Sequence, residues 1–163
     1  MGNSEEQQPF HSGEVYHLWS YLHETKENLV TIQVLRNHTE DEDLKLLLDD
    51  VMENSYQDEE QQVEAILKES GIRLPPAPPD RPNVELQDIP AGARFNDSEI
   101  ARLIQKELTA GMQLCSYMMG ISSQEDIASL FEEFHSLKAE HEWKLVKIIK
   151  EKGWYVSPPI NIK

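Results

Sequence analysis

Residues 73–82 read Arg73-Leu-Pro-Pro-Ala-Pro-Pro-Asp-Arg-Pro82. Prolines this dense remove amide donors and fix φ, so the stretch cannot be helical and favours an extended, polyproline-type backbone. Irregular sequence continues to Phe95. About 25 residues of extended chain reach much further than one helix is long. On both sides the sequence is helical. From about Ser12 to Asn37 the apolar positions Val15, Leu18/Trp19, Leu22, Leu29 and Ile32 recur by threes and fours. A second segment, about Glu40 to Ser70, carries Leu44, Leu48, Val51/Met52, Val63 and Ile66. A third, about Asp97 to Met119, carries Ile100, Leu103/Ile104, Leu114 and Met118. The fourth, about Ser123 to Lys152, carries Ile127, Leu130, Phe134, Leu137, Leu145 and Ile148.

Start and stop signals frame these segments. Thr39-x-x-Glu42 and Ser122-x-x-Glu125 read as capping boxes, and Asn96 or Asp97 as an N-cap. Gly71, Gly120 and Gly153 follow the apolar runs as C-terminal stops. Lys147, Lys150 and Lys152 suit the negative end of the last helix dipole. The helix connections are therefore short, long, short. That order predicts an all-α, ferritin-like four-helix bundle with one long Pro-rich crossover between helices 2 and 3. The expected divisions of this single bundle are a first hairpin at 12–71, the crossover at 72–96, a second hairpin at 97–153 and a tail at 154–163. The halves also resemble each other. Lys68-Glu-Ser-Gly-Ile-Arg-Leu-Pro-Pro76 returns 82 positions later as Lys150-Glu-Lys-Gly-Trp-Tyr-Val-Ser-Pro-Pro159. With capping boxes recurring at nearly the same offset, a duplicated helical hairpin is the reading.

Charge and composition narrow the function. The chain has 163 residues, 15 Lys plus Arg against 30 Asp plus Glu, and a net charge of −15. Such a chain repels phosphate backbones and anionic membrane surfaces, so neither nucleic acid nor membrane is expected as a partner. The first residues show no signal-peptide pattern, and Glu6 stands where a myristoylation motif after Gly2 needs Ser or Thr. A soluble, cytoplasmic location is expected. The single cysteine, Cys115, excludes an internal disulfide and a Cys-x-x-Cys zinc site, and reads as a small buried hydrophobe. There is no Gly-x-Gly-x-x-Gly or Walker A pattern.

The informative positions are polar residues that interrupt apolar stripes. They are Lys26 in helix 1, Ser55 and Glu59 in helix 2, Glu107 in helix 3, and His141 in helix 4, with His135 beside Phe134. Bundles of this topology hold two metals with one Glu on each of two helices and Glu-x-x-His on the other two. Glu53, Glu59, Glu107, His135 and His141 are the candidate ligands for a transition metal, iron, manganese or zinc. Glu132-x-x-His135 matches the motif in letters, but Glu132 lies off the stripe. Lys26 places a cation where a ligand carboxylate belongs. At about 1.5 Å rise per residue, Glu59 and His141 also fall off the level of Lys26, Glu53, Glu107 and His135. The competing reading is a structural polar layer of Lys26, Glu107 and His135, paired because an unpaired buried charge costs several kcal/mol.

Four stretches carry a family resemblance: His11-Ser-Gly-Glu-Val-Tyr-His-Leu-Trp19, Asn37-His-Thr-Glu-Asp-Glu-Asp-Leu44, Asp88-Ile-Pro-Ala-Gly-Ala-Arg-Phe95 and Lys150-Glu-Lys-Gly-Trp-Tyr-Val-Ser-Pro-Pro159. They resemble a family of uncharacterised proteins from endospore-forming bacteria, described as ferritin-like and related to spore coat proteins of the coat F type. The resemblance implies a ferritin-like bundle serving as a spore coat or sporulation component. It brings no established catalytic residues. Two functions are expected from the whole. One is a structural or interaction protein, without enzymatic activity, that binds protein partners or itself, for instance as a dimer. The alternative is a metal-binding bundle with a degenerate ferritin-type site.

Overall fold

Three helices among the described residues start behind a side-chain cap. The computed structural model describes residues 9–161. The reading of Gly2 and Glu6, and the last two residues of the expected tail, lie outside that range. Helix α1 spans Ser12–His38, and His11 caps it reciprocally with Glu14. A second rod comprises α2 (Glu42–Asp50), a π-helical segment (Val51–Gln57) and α3 (Asp58–Glu69). Helix α4 spans Asp97–Ile121 behind an Asn96–Glu99 capping box, and α5 spans Glu125–Glu151. Among the described residues all regular structure is helical, in four rods.

Two expected caps differ. Asp41, not Thr39, accepts the Leu44 amide at the start of α2. The Thr39 hydroxyl instead donates to Leu35 O and closes α1. Ser122 likewise donates to Met118 O at the end of α4, and Gln124 precedes α5 without a side-chain cap bond. Ser and Thr bind whichever carbonyl or amide lies nearest, so a capping-box spelling can be spent on the preceding helix. Gly120 falls inside α4 instead of ending it. Gly71 and Gly153 do end their helices, at φ of 70° and 76°. In each case the following amide donates five residues back, Ile72 to Leu67 O and Trp154 to Ile149 O. The two halves of the sequence repeat thus close with the same left-handed cap.

End contacts fix the directions of the rods. Arg36–Asp49 and Lys26–Glu64 contacts make the second rod antiparallel to α1. Helix α4 begins where α1 ends, with Asp97 accepting the Glu40 and Asp41 amides. It finishes where α1 begins, with Ile121 O 3.2 Å from His11 Nε2. Helix α5 returns in the same direction as α1, diagonally across the bundle: Ser123 binds Glu14, and Lys152 binds Asp41 and Asp43. Around the bundle, α1 touches the second rod and α4, and α5 touches the same two. Residues 72–96 are extended apart from two short 3-10 turns, Leu86–Asp88 and Ala91–Ala93. The segment follows α1 from Trp19, which donates to Arg73 O, past Gln33 and Asn37, to His38, which accepts the Phe95 amide.

The interior has two apolar clusters. One contains Leu35, Leu48, Ile104, Leu108 and Leu145. The other contains Leu18, Leu22, Val63, Met118 and Phe131. Each fully buried side chain of this kind contributes about 1.5–3 kcal/mol. Between the clusters lies a layer of polar side chains.

Candidate functional site

The second rod builds that layer by leaving α-helical geometry. From Val51 onward its most deeply buried positions, Val51, Ser55, Glu59, Val63 and Leu67, are spaced by four throughout. At about 100° per residue, four such steps carry an ideal helix face roughly 160° around its axis. The π segment has wider turns, so each residue advances less and the seam keeps facing inward. Ser55, Tyr56 and Glu59 therefore all point into the bundle.

Glu59 is the hub. Its Oε2 accepts from Lys138 Nζ of α5 at 2.8 Å, and its Oε1 accepts from Tyr21 Oη of α1 at 2.5 Å. All three residues are 5% exposed or less. Burial pushes the Glu59 carboxyl above its usual value, with Lys138 and Tyr21 opposing. Burial, then the Glu59 charge, drives the Tyr21 hydroxyl well up. Lys138 Nζ also lies 5.3 Å from the Tyr56 ring centroid. Cys115 Sγ stands 3.5 Å from Tyr21 Oη, and burial pushes its thiol up to about 11. Near neutral pH it is an inert thiol rather than a nucleophile. Gly111 of α4 makes room: a Cβ there would meet Lys138 Cδ and Cε at 3.0 Å.

A second polar group adjoins on the side of α2. His141, fully buried, places Nδ1 3.1 Å from Ser55 Oγ. Its Nε2 is 3.3 Å from Asp50 Oδ2, close enough for attraction but off hydrogen-bonding geometry. Burial lowers the His141 pKa, and the nearby Asp50 only partly compensates. Toward solvent a narrow cleft between α1 and α4 is lined by Glu24, Asn28, Tyr56, Glu107 and Lys138. Burial and then the Glu107 charge raise the Glu24 carboxyl.

Residues 1–163 match the family described as protein of unknown function (DUF3231). The chain belongs to that family. It is 44% identical, over all of its own length and 95% of the relative's, to the uncharacterized protein YvdQ of Bacillus subtilis (strain 168). It is also similar to the crystal structure of a "putative spore coat protein" from Bacillus halodurans C-125. There the TM-score is 0.92 and the identity 43%, covering 96% of this chain and 98% of the other. A conserved hypothetical protein from Mycobacterium tuberculosis shares the fold alone, with a TM-score of 0.72 at 12% identity over 92% and 98% of the two chains.

In this DUF3231 chain the residues singled out from sequence are distributed over several places. Glu59 and His141 enter the buried layer, each with its own partners. Lys26 binds Glu64 at 2.6 Å, near the rim of the bundle. Glu107 faces the α1–α4 cleft, His135 is half-buried, and Glu53 is exposed. No hydrogen bond or ion pair joins Lys26, Glu107 and His135, so the expected three-residue layer does not form among the described residues. The cause is register. The buried face of α5 runs Phe131, Phe134, Lys138, His141, Leu145, which turns His135 toward the boundary. Among the described residues no group of three or more His, Cys, Asp and Glu side chains is placed to hold a metal ion. Sequence reasoning missed Lys138 and Tyr21. The signal for Lys138 was present, since it lies four residues after Phe134 and three before His141. Regular structure among the described residues is all helical, and no helix among them is long and apolar enough to cross a membrane.

Proposed function

We propose that this protein is a structural or interaction component with a ferritin-like bundle, in which an internal ammonium group occupies the place a metal takes in such bundles. The observation that carries the reading is the Lys138–Glu59 ion pair at the centre. A ferritin-type site needs carboxylate and imidazole ligands from four helices. Here α5 offers Lys138-x-x-His141 in place of Glu-x-x-His, and the second rod offers Glu59-x-x-Gln62. Glu59 already has both oxygens satisfied, by Lys138 and Tyr21. A cation added beside Lys138 would meet a positive charge in a poorly solvated layer. The residues do not fit the metal. The path of residues 72–96 along α1 supports their role as the long Pro-rich crossover of that topology.

A coat role is supported by the description given to the Bacillus halodurans relative at 43% identity. A protein of this kind works through its surface, and its centre serves rigidity.

Elemental analysis tests this after incubation with Fe(II), Mn(II) or Zn(II) and desalting, paired with thermal unfolding. The expected result is less than about 0.1 equivalent of each metal and an unchanged Tm, because a ligand that bound only the native state would raise it. One or two equivalents, lost in Glu59→Gln or Glu107→Gln, would overturn the reading and restore the degenerate-metal-site alternative.

A further inference from the structure

We infer that the outward face of α5 is a self-complementary docking surface for a second copy of this chain, arranged antiparallel. The inference rests on the interaction-protein reading and specifies its surface and partner.

Trp143 is 75% exposed in the C-terminal half of α5, although a tryptophan side chain carries one of the largest apolar areas available. At about 100° per residue, Glu132, Ser136, Trp143, Lys147 and Lys150 share one stripe about 60° wide. This stripe is segregated by charge. Its N-terminal half holds Glu125 and Glu132, its middle holds small Ser136 and Ala139, and its C-terminal half holds Trp143, Lys147 and Lys150. Lys147 is 76% exposed, with only a 4.0 Å approach to Glu151. Lys150 sits over the Tyr155 ring at 5.5 Å. In a chain of net charge −15, an aromatic and basic half-face is unusual and marks a place where copies can approach without repulsion.

Placing the stripe against its own two-fold copy gives a register that pairs Glu132, Ser136, Trp143 and Lys147. Glu132 meets Lys147 of the second copy, Ser136 lies under its Trp143, and Ser129 lies opposite its Lys150. Each contact occurs twice, as a two-fold interface requires. The tryptophan gains a flat seat because Ser136 and Ala139 are small. Exposed Tyr155 and Val156 extend the apolar surface toward the start of the second copy's α5. The unfavourable element is Glu140, which approaches its own symmetry mate near the axis.

Sedimentation of the full chain over a concentration series reads this directly. The wild type should dimerise. Trp143→Ser, an anchor at the centre, should weaken the dimer more than about 30-fold. Lys147→Glu and Glu132→Lys should each weaken it about 10-fold or more, and the double variant carrying both should return close to wild type. Glu140→Gln should tighten the dimer. All four positions are on the surface, and circular dichroism would confirm that the variants fold. A wild type that stays monomeric would overturn the inference. So would a dimer indifferent to Lys147→Glu and Trp143→Ser, or a charge swap that fails to rescue. Metal retention, which decides the function proposed above, is a separate readout.

Discussion

Two lysine–carboxylate pairs cross from neighbouring rods to carboxylates of α3 five residues apart, and they differ in kind. Lys138 and Glu59 have side chains 3% and 2% exposed, with Tyr21 as a third partner. Lys26 and Glu64 are 8% and 22% exposed, at the rim beside Lys68. In the first pair both charges have left water, so their state depends wholly on protein groups. In the second the carboxylate keeps part of its hydration. Near-equal geometry, 2.8 Å against 2.6 Å, therefore conceals unequal energetics. A buried pair is costly to break from one side, whereas a pair near the surface contributes little.

The strongest test of that contrast is Lys138→Met. It leaves Glu59 buried with only Tyr21 as donor and should cost about 3–5 kcal/mol in urea unfolding. Combining it with Glu59→Met should recover most of the loss, because an apolar replacement of both partners removes the stranded charge. A single variant losing under about 1 kcal/mol would mean that Glu59 simply protonates, and the pair would not govern the layer.

Gly111→Ala sharpens the point through a change of sign. Alanine should gain about 1 kcal/mol in a helix interior relative to glycine. Here its Cβ would press on Lys138 Cδ and Cε at 3.0 Å, and the ion pair prevents the lysine from moving aside. A net loss of about 1–2 kcal/mol is expected, as for an overpacked core. In a Lys138→Ala background the same change should become stabilising. Denaturant midpoints of the four proteins settle it, and equal effects in both backgrounds would show that Lys138 is not the obstacle.

The rods were legible because their apolar stripes are long and punctuated, and the matched glycine stops at Gly71 and Gly153 were legible because no other residue takes that φ freely. The inside of the layer was not. Reading α5 through Leu130 and Leu137 looks as periodic as the true face through Phe131 and Lys138, since neighbouring apolar residues compete for one stripe. The π segment was hidden for a related reason. A run of consecutive four-residue steps from Val51 to Leu67 is its trace, but Met52 and Ile66 let an ordinary helix account for most of the same positions. Glu107 looked like a core group because it interrupts α4 between Ile104 and Leu114, yet it lines the cleft. The cost of burying a carboxylate is visible in sequence only as an anomaly; where the partner sits is a tertiary fact.

His141 adds a pH dependence with a definite sign. Its pKa is lowered in the folded protein, chiefly by burial, so the unfolded chain binds the proton more readily. Stability from this group is fully present above the unfolded value of about 6.5 and is lost as pH falls below it. Glu59, raised by burial, acts oppositely: the folded state takes up its proton first, so it loses stability as pH rises above the unfolded carboxylate range. The difference in Tm between wild type and His141→Gln, followed from pH 8 to pH 5, isolates the histidine contribution. It should shrink below about pH 6.5. A difference that stays constant would show that His141 is not held neutral by the layer.

Lys26→Met should have the smallest effect, and it completes the contrast with Lys138. Lys26 is largely buried with its ammonium on Glu64 of α3, and methionine replaces most of its aliphatic stem. Glu64, left without Lys26, remains within reach of Lys68 at 3.8 Å and of solvent. The expected loss is under about 1 kcal/mol. A loss as large as that of Lys138→Met would mean that rim and centre act as one network. In that case Lys26→Met and Lys138→Met should couple in a double-mutant cycle, whereas independent pairs should add within about 0.5 kcal/mol.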